Sequence, residues 1–166
     1  MKQWKTWRHG ALLAVGLTVS GGVAATTLKH MHVDEMSGAA DAVIVGTVQS
    51  QEVVRDGNAI NTLITFSVND AITGQPGQSV DVLVPGGSMV SNGIRVGEVN
   101  AGVGFFAGNT ENVLFLSEPN ANGQRAILGY SQGQFAVVDG MVAVGDLGRA
   151  ITLDEFKTRI RANATP

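Results

Sequence analysis

The chain has 166 residues and a formal net charge of −3 at pH 7, and 44% of its residues are hydrophobic. This length suits one domain with a single core, and the acidic balance disfavours nucleic-acid binding, which neutralises phosphates with Lys and Arg. The sequence contains no cysteine, which excludes both a disulfide framework and a lipid-modified cysteine.

The first 25 residues have the layout of a secretory signal peptide. Basic residues precede an apolar run at positions 11 to 19, and small residues follow as far as Ala25. The run is shorter than the ~20 residues that span a bilayer, so the pattern favours export over a permanent anchor. We therefore expect residues 1–25 to be a signal peptide and residues 26–166 to form one secreted or periplasmic domain, free of the membrane.

A short helix and a long β-hairpin are predicted at the start of the mature chain. The helix rests on a loose apolar stripe between residues 28 and 40. The hairpin spans residues 41 to 73, with its turn at Asp56-Gly57-Asn58, because Asp-Gly between extended runs favours a tight turn. Alternation in its second arm places the side chain of Phe66 in the core. The alternating set on that face is Ile60, Thr62, Ile64, Phe66, Val68 and Ile72.

Further strands are predicted downstream, separated by turns. Residues 79 to 84 alternate, with Val80, Val82 and Val84 on one face. Regular patterning returns at residues 112 to 117, Asn112-Val113-Leu114-Phe115-Leu116-Ser117, as is typical of a central strand. The remaining predicted strands are residues 125 to 130, 134 to 138 and 141 to 144, the last two joined at Asp139-Gly140.

A second helix is predicted over residues 152–162. The Thr152 hydroxyl can cap its first turn while Glu155 reaches back to Thr152. Leu153, Phe156 and Ile160 form its apolar side. Together these patterns predict a mainly β fold, a small barrel of five to seven strands with short N-terminal and C-terminal helices.

Several short motifs follow one another between residues 38 and 140. They are Ala40 to Val48, Phe66-Ser67-Val68 followed by Thr73-Gly74, Val84-Pro85-Gly86-Gly87, Phe105-Phe106-Ala107-Gly108, Leu114-Phe115-Leu116 and Gln132-Gly133-Gln134-Phe135. The first motif resembles the opening strand of netrin-like domains, the group that includes tissue inhibitors of metalloproteinases. The later motifs resemble uncharacterised bacterial secreted proteins that carry a related domain.

The resemblance implies an OB-like barrel and, by analogy, a binding role, with a secreted protein such as a metalloprotease as a partner. The inhibitors of that group begin with a disulfide-bonded cysteine that chelates the protease zinc. This cysteine-free chain cannot reproduce that contact, so the inhibitory mechanism is not carried over. The segment from residue 26 to residue 32 would be the part that approaches a protease.

The sequence favours a non-enzymatic protein without a cofactor. The mature chain has only His30 and His32, both near its amino end, so a histidine base held by the barrel is disfavoured. These two histidines, with Asp34 and Glu35, are weak candidates for metal ligands, and solvated side chains are the favoured interpretation. Residues 118 to 123 imitate half of a calcium loop, but Gly129 stands where that loop needs a glutamate.

Residues 86 to 110 are the predicted ligand-facing segment, because a long aperiodic connection in a compact domain is either functional or hides a short element. The candidate binding residues are Ser88, Met89, Arg95, Glu98, Phe105 and Phe106. For each phenylalanine, plugging the end of the barrel is the favoured alternative. We therefore expect a secreted, non-enzymatic binding module. The alternatives are a secreted hydrolase with dispersed catalytic residues and a structural envelope or matrix protein.

Overall fold

The structure, a computed structural model, describes residues 29–99, 106, 108 and 110–164. Within these ranges the fold is mainly β, as predicted, with nine strands and two α-helices. The predicted signal peptide lies outside the described residues. The elements are α1 Val33–Ala39, β1 Ala42–Asp56, β2 Ala59–Thr73, β3 Ser79–Pro85, β4 Gly87–Ser91, β5 Ile94–Glu98, β6 Glu111–Leu116, β7 Gln134–Val138, β8 Met141–Val144, β9 Arg149–Thr152 and α2 Leu153–Asn163.

Seven of the strands form one sheet, in the order β3-β2-β1-β6-β7-β8-β9, and β4 and β5 pair separately as a hairpin. Neighbouring strands in both sheets run antiparallel. The described residues form more strands than the predicted five to seven. The sequence does not predict β4, β5 and β9, because these segments show no clear alternation of apolar and polar residues. Neither described helix is long and apolar enough to cross a membrane.

The β1–β2 hairpin forms where it was predicted, and its turn holds Gly57 at φ 59°. The predicted single face of β2 is wrong at one residue. Phe66 lies in one core and Ile72 in the other. The pairing skips Asn69 and Ile72 on the β2 side, and each such bulge reverses the side on which the following residues point. The alternation read from the sequence therefore ends at the first bulge.

The sheet buries apolar side chains on both faces. We call the cluster under the two helices the helix-side core and the cluster on the opposite face the hairpin-side core. Strand β1 alternates between them, with Val43 and Val45 in the first and Ile44 in the second. Strand β6 does the same, with Phe115 in the first and Leu114 in the second. Burial on both faces explains why β1 is apolar from Ala42 to Val45 and β6 from Val113 to Leu116.

Helix α2 begins as predicted, because the Thr152 hydroxyl accepts a hydrogen bond from the Glu155 N–H at 3.2 Å. Phe156 and Ile160 are fully buried in the helix-side core. The predicted return contact of Glu155 is wrong, since its carboxylate accepts a hydrogen bond from Arg149 at 3.0 Å instead. Helix α1 begins at Val33, later than the predicted stripe, of which Leu28 lies outside the described residues.

The predicted strand over residues 125 to 130 is wrong. Only Arg125 and Ile127 form isolated bridges, one parallel to β3 and one antiparallel to β6. A turn follows, and Tyr130–Gly133 form a 3-10 helix. The segment is short because it bridges two strands and then turns away, which leaves no room for a regular ladder.

Candidate functional site

A cleft of about 430 Å³ lies between the end of β3 and residues 120 to 130. Its volume is within the ~300–1,000 Å³ typical of small-molecule pockets. Most of the surface is hydrocarbon, from Leu83, Val84, Pro85, Ile127, Leu128 and Tyr130. The cleft is therefore shaped for the apolar part of a ligand.

Backbone hydrogen bonds hold the bridging segment, residues 125 to 128, in place. The Leu83 N–H donates to the Arg125 carbonyl at 2.8 Å, and the Arg125 N–H donates to the Asp81 carbonyl at 2.8 Å. On the other side, the Leu128 N–H donates to the Phe115 carbonyl at 2.9 Å. The wall of the cleft is thus attached to β3 and to β6.

The turn before the bridging segment is held by one side chain. The Asn120 side-chain oxygen accepts the N–H groups of Asn122 and Gln124, at 2.9 and 3.0 Å. That oxygen is one of the atoms that a calcium loop would use as a ligand. Here it satisfies backbone donors, as an Asx-turn does, in agreement with the turn favoured from the sequence.

The charge beside the cleft is neutralised. Arg125 lines the cleft, and its guanidinium forms an ion pair with Asp41 and donates to the Ser117 carbonyl. Its side chain is only 11% exposed. Tyr130 is 42% exposed and has a φ of 57°, which is uncommon for a residue other than glycine. The cleft therefore combines an apolar wall with an accessible phenol at its edge.

The chain matches no protein-family model, and it has no significant match among curated proteins or solved structures. The resemblance to netrin-like domains, the OB-type barrel and the metalloprotease partner therefore stay predictions. What the chain binds must be argued from its own residues.

The predicted ligand-facing segment contains the β4–β5 hairpin, so it does hide a short element. Ser88 and Met89 lie on β4, and Arg95 and Glu98 lie on β5. None of these four residues lines the cleft. The Glu98 carboxylate accepts a hydrogen bond from the Ile60 N–H at 3.1 Å, which ties the hairpin to β2.

Of the two predicted phenylalanines, the structure describes Phe106. Phe106 is buried in the hairpin-side core, and its ring meets the ring of Phe66 edge to face at a centroid distance of 5.2 Å. Phe106 therefore packs in a core, and whether that core is the end of a barrel stays a prediction. Phe105 lies outside the described residues.

The two weak metal candidates lie beside an aspartate that the sequence did not single out. His30 Nε2 is 3.4 Å from one carboxylate oxygen of Asp146, and His32 Nδ1 is 3.2 Å from the other. Asp34 and Glu35, the other candidates, pair instead with Arg159 and Lys29. The three donor atoms lie within 4.8 Å of one another.

Asp146 lies in the 3-10 helix Gly145–Leu147, between β8 and β9. Burial raises the pKa of its carboxyl, but hydrogen bonds from the Val33 N–H and from His32 outweigh that effect and lower the pKa overall. The carboxylate therefore stays ionised. No spacing rule could have paired Asp146 with Val33, from which it is separated by 113 residues.

Proposed function

We propose that this protein is a secreted, non-enzymatic binding module with an OB-type barrel, which takes an uncharged, mainly apolar small molecule in the cleft between β3 and residues 120 to 130. The observation that carries the proposal is the cleft of about 430 Å³ with its hydrocarbon wall. Secretion is supported by the signal-peptide layout of residues 1–25.

The bridging segment, residues 125 to 128, supports a closed barrel. Strands β3, β2, β1 and β6 are successive neighbours in the large sheet. The bridging segment is hydrogen-bonded to β3 at one side and to β6 at the other. These hydrogen bonds on both sides of the bridging segment support our proposal that the five pieces close into an OB-type barrel.

The ligand class follows from the electrostatics of the cleft. The Arg125 guanidinium, which lines the cleft, is already paired with Asp41. A charged ligand group would lose water there without gaining a free counter-charge, and that exchange is unfavourable. A neutral apolar ligand loses few hydrogen bonds to water when it enters the cleft. A single polar group at one end of such a ligand can reach the exposed Tyr130.

The test is a fluorescence titration with Nile red, an uncharged apolar dye, on the purified protein. We expect saturable binding that decanol displaces and that decanoate, with the same chain length and a negative charge, displaces far less. Ala126 lines the cleft, so Ala126→Trp should block dye binding. Ala143→Trp is the matched control, because Ala143 is an exposed alanine on β8.

The proposal fails if the dye does not bind, or if it binds equally well to both tryptophan variants. Equal displacement by decanol and decanoate would refute the uncharged ligand class while leaving the cleft as the site. Turnover of an ester by the protein would favour the hydrolase alternative over a binding module.

A further inference from the structure

The side chain of Gln132 fixes the orientation of the His30 ring. The Gln132 oxygen accepts the Met31 N–H at 2.9 Å, and its amide nitrogen donates to the Lys29 carbonyl at 3.1 Å. These two backbone partners exclude the flipped amide, in which two donors would face each other. The same oxygen lies 3.1 Å from His30 Nδ1, so His30 Nδ1 must carry a proton and donate it.

The opposite nitrogen of that ring then faces a carboxylate. In neutral His30 the proton is on Nδ1, and Nε2 presents a lone pair. The Nε2 atom lies 3.4 Å from an oxygen of Asp146. Two acceptors at this separation repel each other unless a cation lies between them, which is either a second proton on the ring or a metal ion.

The second histidine approaches the other carboxylate oxygen. His32 Nδ1 is 3.2 Å from the oxygen of Asp146 that also accepts the Val33 N–H at 3.1 Å. The backbone N–H thus holds the carboxylate while both imidazoles approach it. The two rings meet edge to face, with centroids 4.9 Å apart.

We propose that His30, His32 and Asp146 form a binding site for one divalent cation of the zinc class. Two imidazoles and a carboxylate are a ligand set that zinc uses in proteins. Bonds of ~2.0–2.2 Å in a tetrahedral site put neighbouring donors roughly 3.4 Å apart. His30 Nε2 and His32 Nδ1 lie 3.4 and 3.2 Å from different oxygens of Asp146, and the three donor atoms lie within 4.8 Å of one another, so small side-chain rotations would bring them to that spacing. Gln132 supplies the outer hydrogen bond that orients a metal-bound histidine.

Such a site has two consequences that do not depend on the cleft. The ion ties the segment before α1 to the 3-10 helix between β8 and β9, since His30 and His32 come from the first and Asp146 from the second. Three protein ligands also leave the fourth tetrahedral position open. The histidine side chains are 68% and 64% exposed, so that position is accessible from solvent. Water or a donor from another molecule would fill that position.

The experiment is equilibrium dialysis of the 166-residue chain against micromolar Zn²⁺. The chain is purified with an affinity tag that contains no histidine. We expect one zinc per chain. His30→Ala, His32→Ala and Asp146→Asn should each abolish that binding, and Gln132→Leu should weaken it by about 10–100-fold. His9→Ala is the matched control, since His9 is the remaining histidine of the chain, and it should leave the stoichiometry unchanged.

Failure to bind zinc would overturn the proposal. Unchanged zinc binding by Asp146→Asn would also overturn it, because the two exposed histidines alone would then account for the binding. Circular dichroism identifies any variant that does not fold. For that case the wild-type protein provides a second measurement, the histidine ring signals in NMR. One equivalent of Zn²⁺ should shift the signals of His30 and His32 and spare those of His9; any other pattern contradicts the site.

Discussion

The helix-side core and the hairpin-side core are equally well buried but are assembled from different parts of the chain. The helix-side core joins Val33, near one end, to Ile160, near the other, across the strands between them. The hairpin-side core comes mainly from β2, β3 and β6, and its residues span Ile44 to Leu116. One face of the sheet is therefore buried mainly by strands that are close together in the chain. The other face is buried only when α1 and α2, which are far apart in the chain, both pack against it.

The contacts that close the helix-side core also come from distant residues. Arg159 on α2 donates to Asp34 on α1 at 2.7 Å, and Lys157 on α2 pairs with Asp70 on β2 at 2.9 Å. These pairs lie at the edge of the core, where they orient α2. Burial of Phe156 and Ile160 supplies most of the energy, because exposed ion pairs contribute only ~0.2–1 kcal/mol each.

The largest expected effects test whether the two cores are equally important for stability. Phe66 in the hairpin-side core and Phe156 in the helix-side core are both fully buried. Each change to alanine should lower the free energy of unfolding by ~3–5 kcal/mol, because it leaves a cavity. Urea or thermal unfolding measures both losses. A loss below ~1 kcal/mol for Phe66→Ala would mean that the face assigned to β2 is wrong, and the same result for Phe156→Ala would mean that α2 does not pack as described.

A smaller effect should separate the two ends of the β1–β2 hairpin. Gly74 and Gly57 both have positive φ, 75° and 59°, so an alanine at either should cost ~1–2 kcal/mol in backbone strain. At Gly74 the new Cβ would also lie 2.4 Å from the Asp41 carbonyl oxygen, whereas at Gly57 it meets nothing within 4 Å. Gly74→Ala should therefore lose ~1–3 kcal/mol more than Gly57→Ala.

The matched glycine pair is measured by the same unfolding experiments. Equal losses would show that the end of the hairpin beside the cores is no more tightly packed than its exposed turn. That result would contradict the close approach of Gly74 to β1.

The smallest expected effect is the pH dependence of the contact between the helices. The hydrogen bond from Arg159 lowers the pKa of Asp34 in the folded protein, so its contribution to stability is present above about pH 4 and is lost as the pH falls further. The Asp34 side chain is 47% exposed, which limits the contribution to ~0.2–1 kcal/mol. Asp34→Asn should be less stable than wild type by that amount at neutral pH.

The stability difference for Asp34 should shrink and disappear as the pH falls through the lowered pKa of Asp34, because the wild-type carboxyl is then protonated too. Comparing the two proteins at each pH removes the contribution of Glu35, whose pKa is lowered too, whereas Asp146 interacts with Asp34 directly and contributes to the difference. A difference that stays constant from neutral to acid pH would assign the effect to lost packing and not to charge.

Local patterns determined the elements that depend on neighbouring residues. The turn at Gly57, the alternation of Val80, Val82 and Val84, and the cap at Thr152 could all be read from the sequence. Each depends on backbone geometry or hydrogen bonding within a few residues, so the rest of the chain does not alter it. The mainly β class followed from the sum of such patterns.

Tertiary structure alone decided which side Ile72 faces, where the chain bridges β3 and β6, and which carboxylate meets the two histidines. Bulges at Asn69 and Ile72 depend on the register against β1, which no alternation within β2 reveals. The cleft and the cluster of His30, His32 and Asp146 both join segments that are far apart in the chain. Sequence spacing carries information only over a few residues, so contacts across a hundred residues become visible only once the cores have brought the segments together.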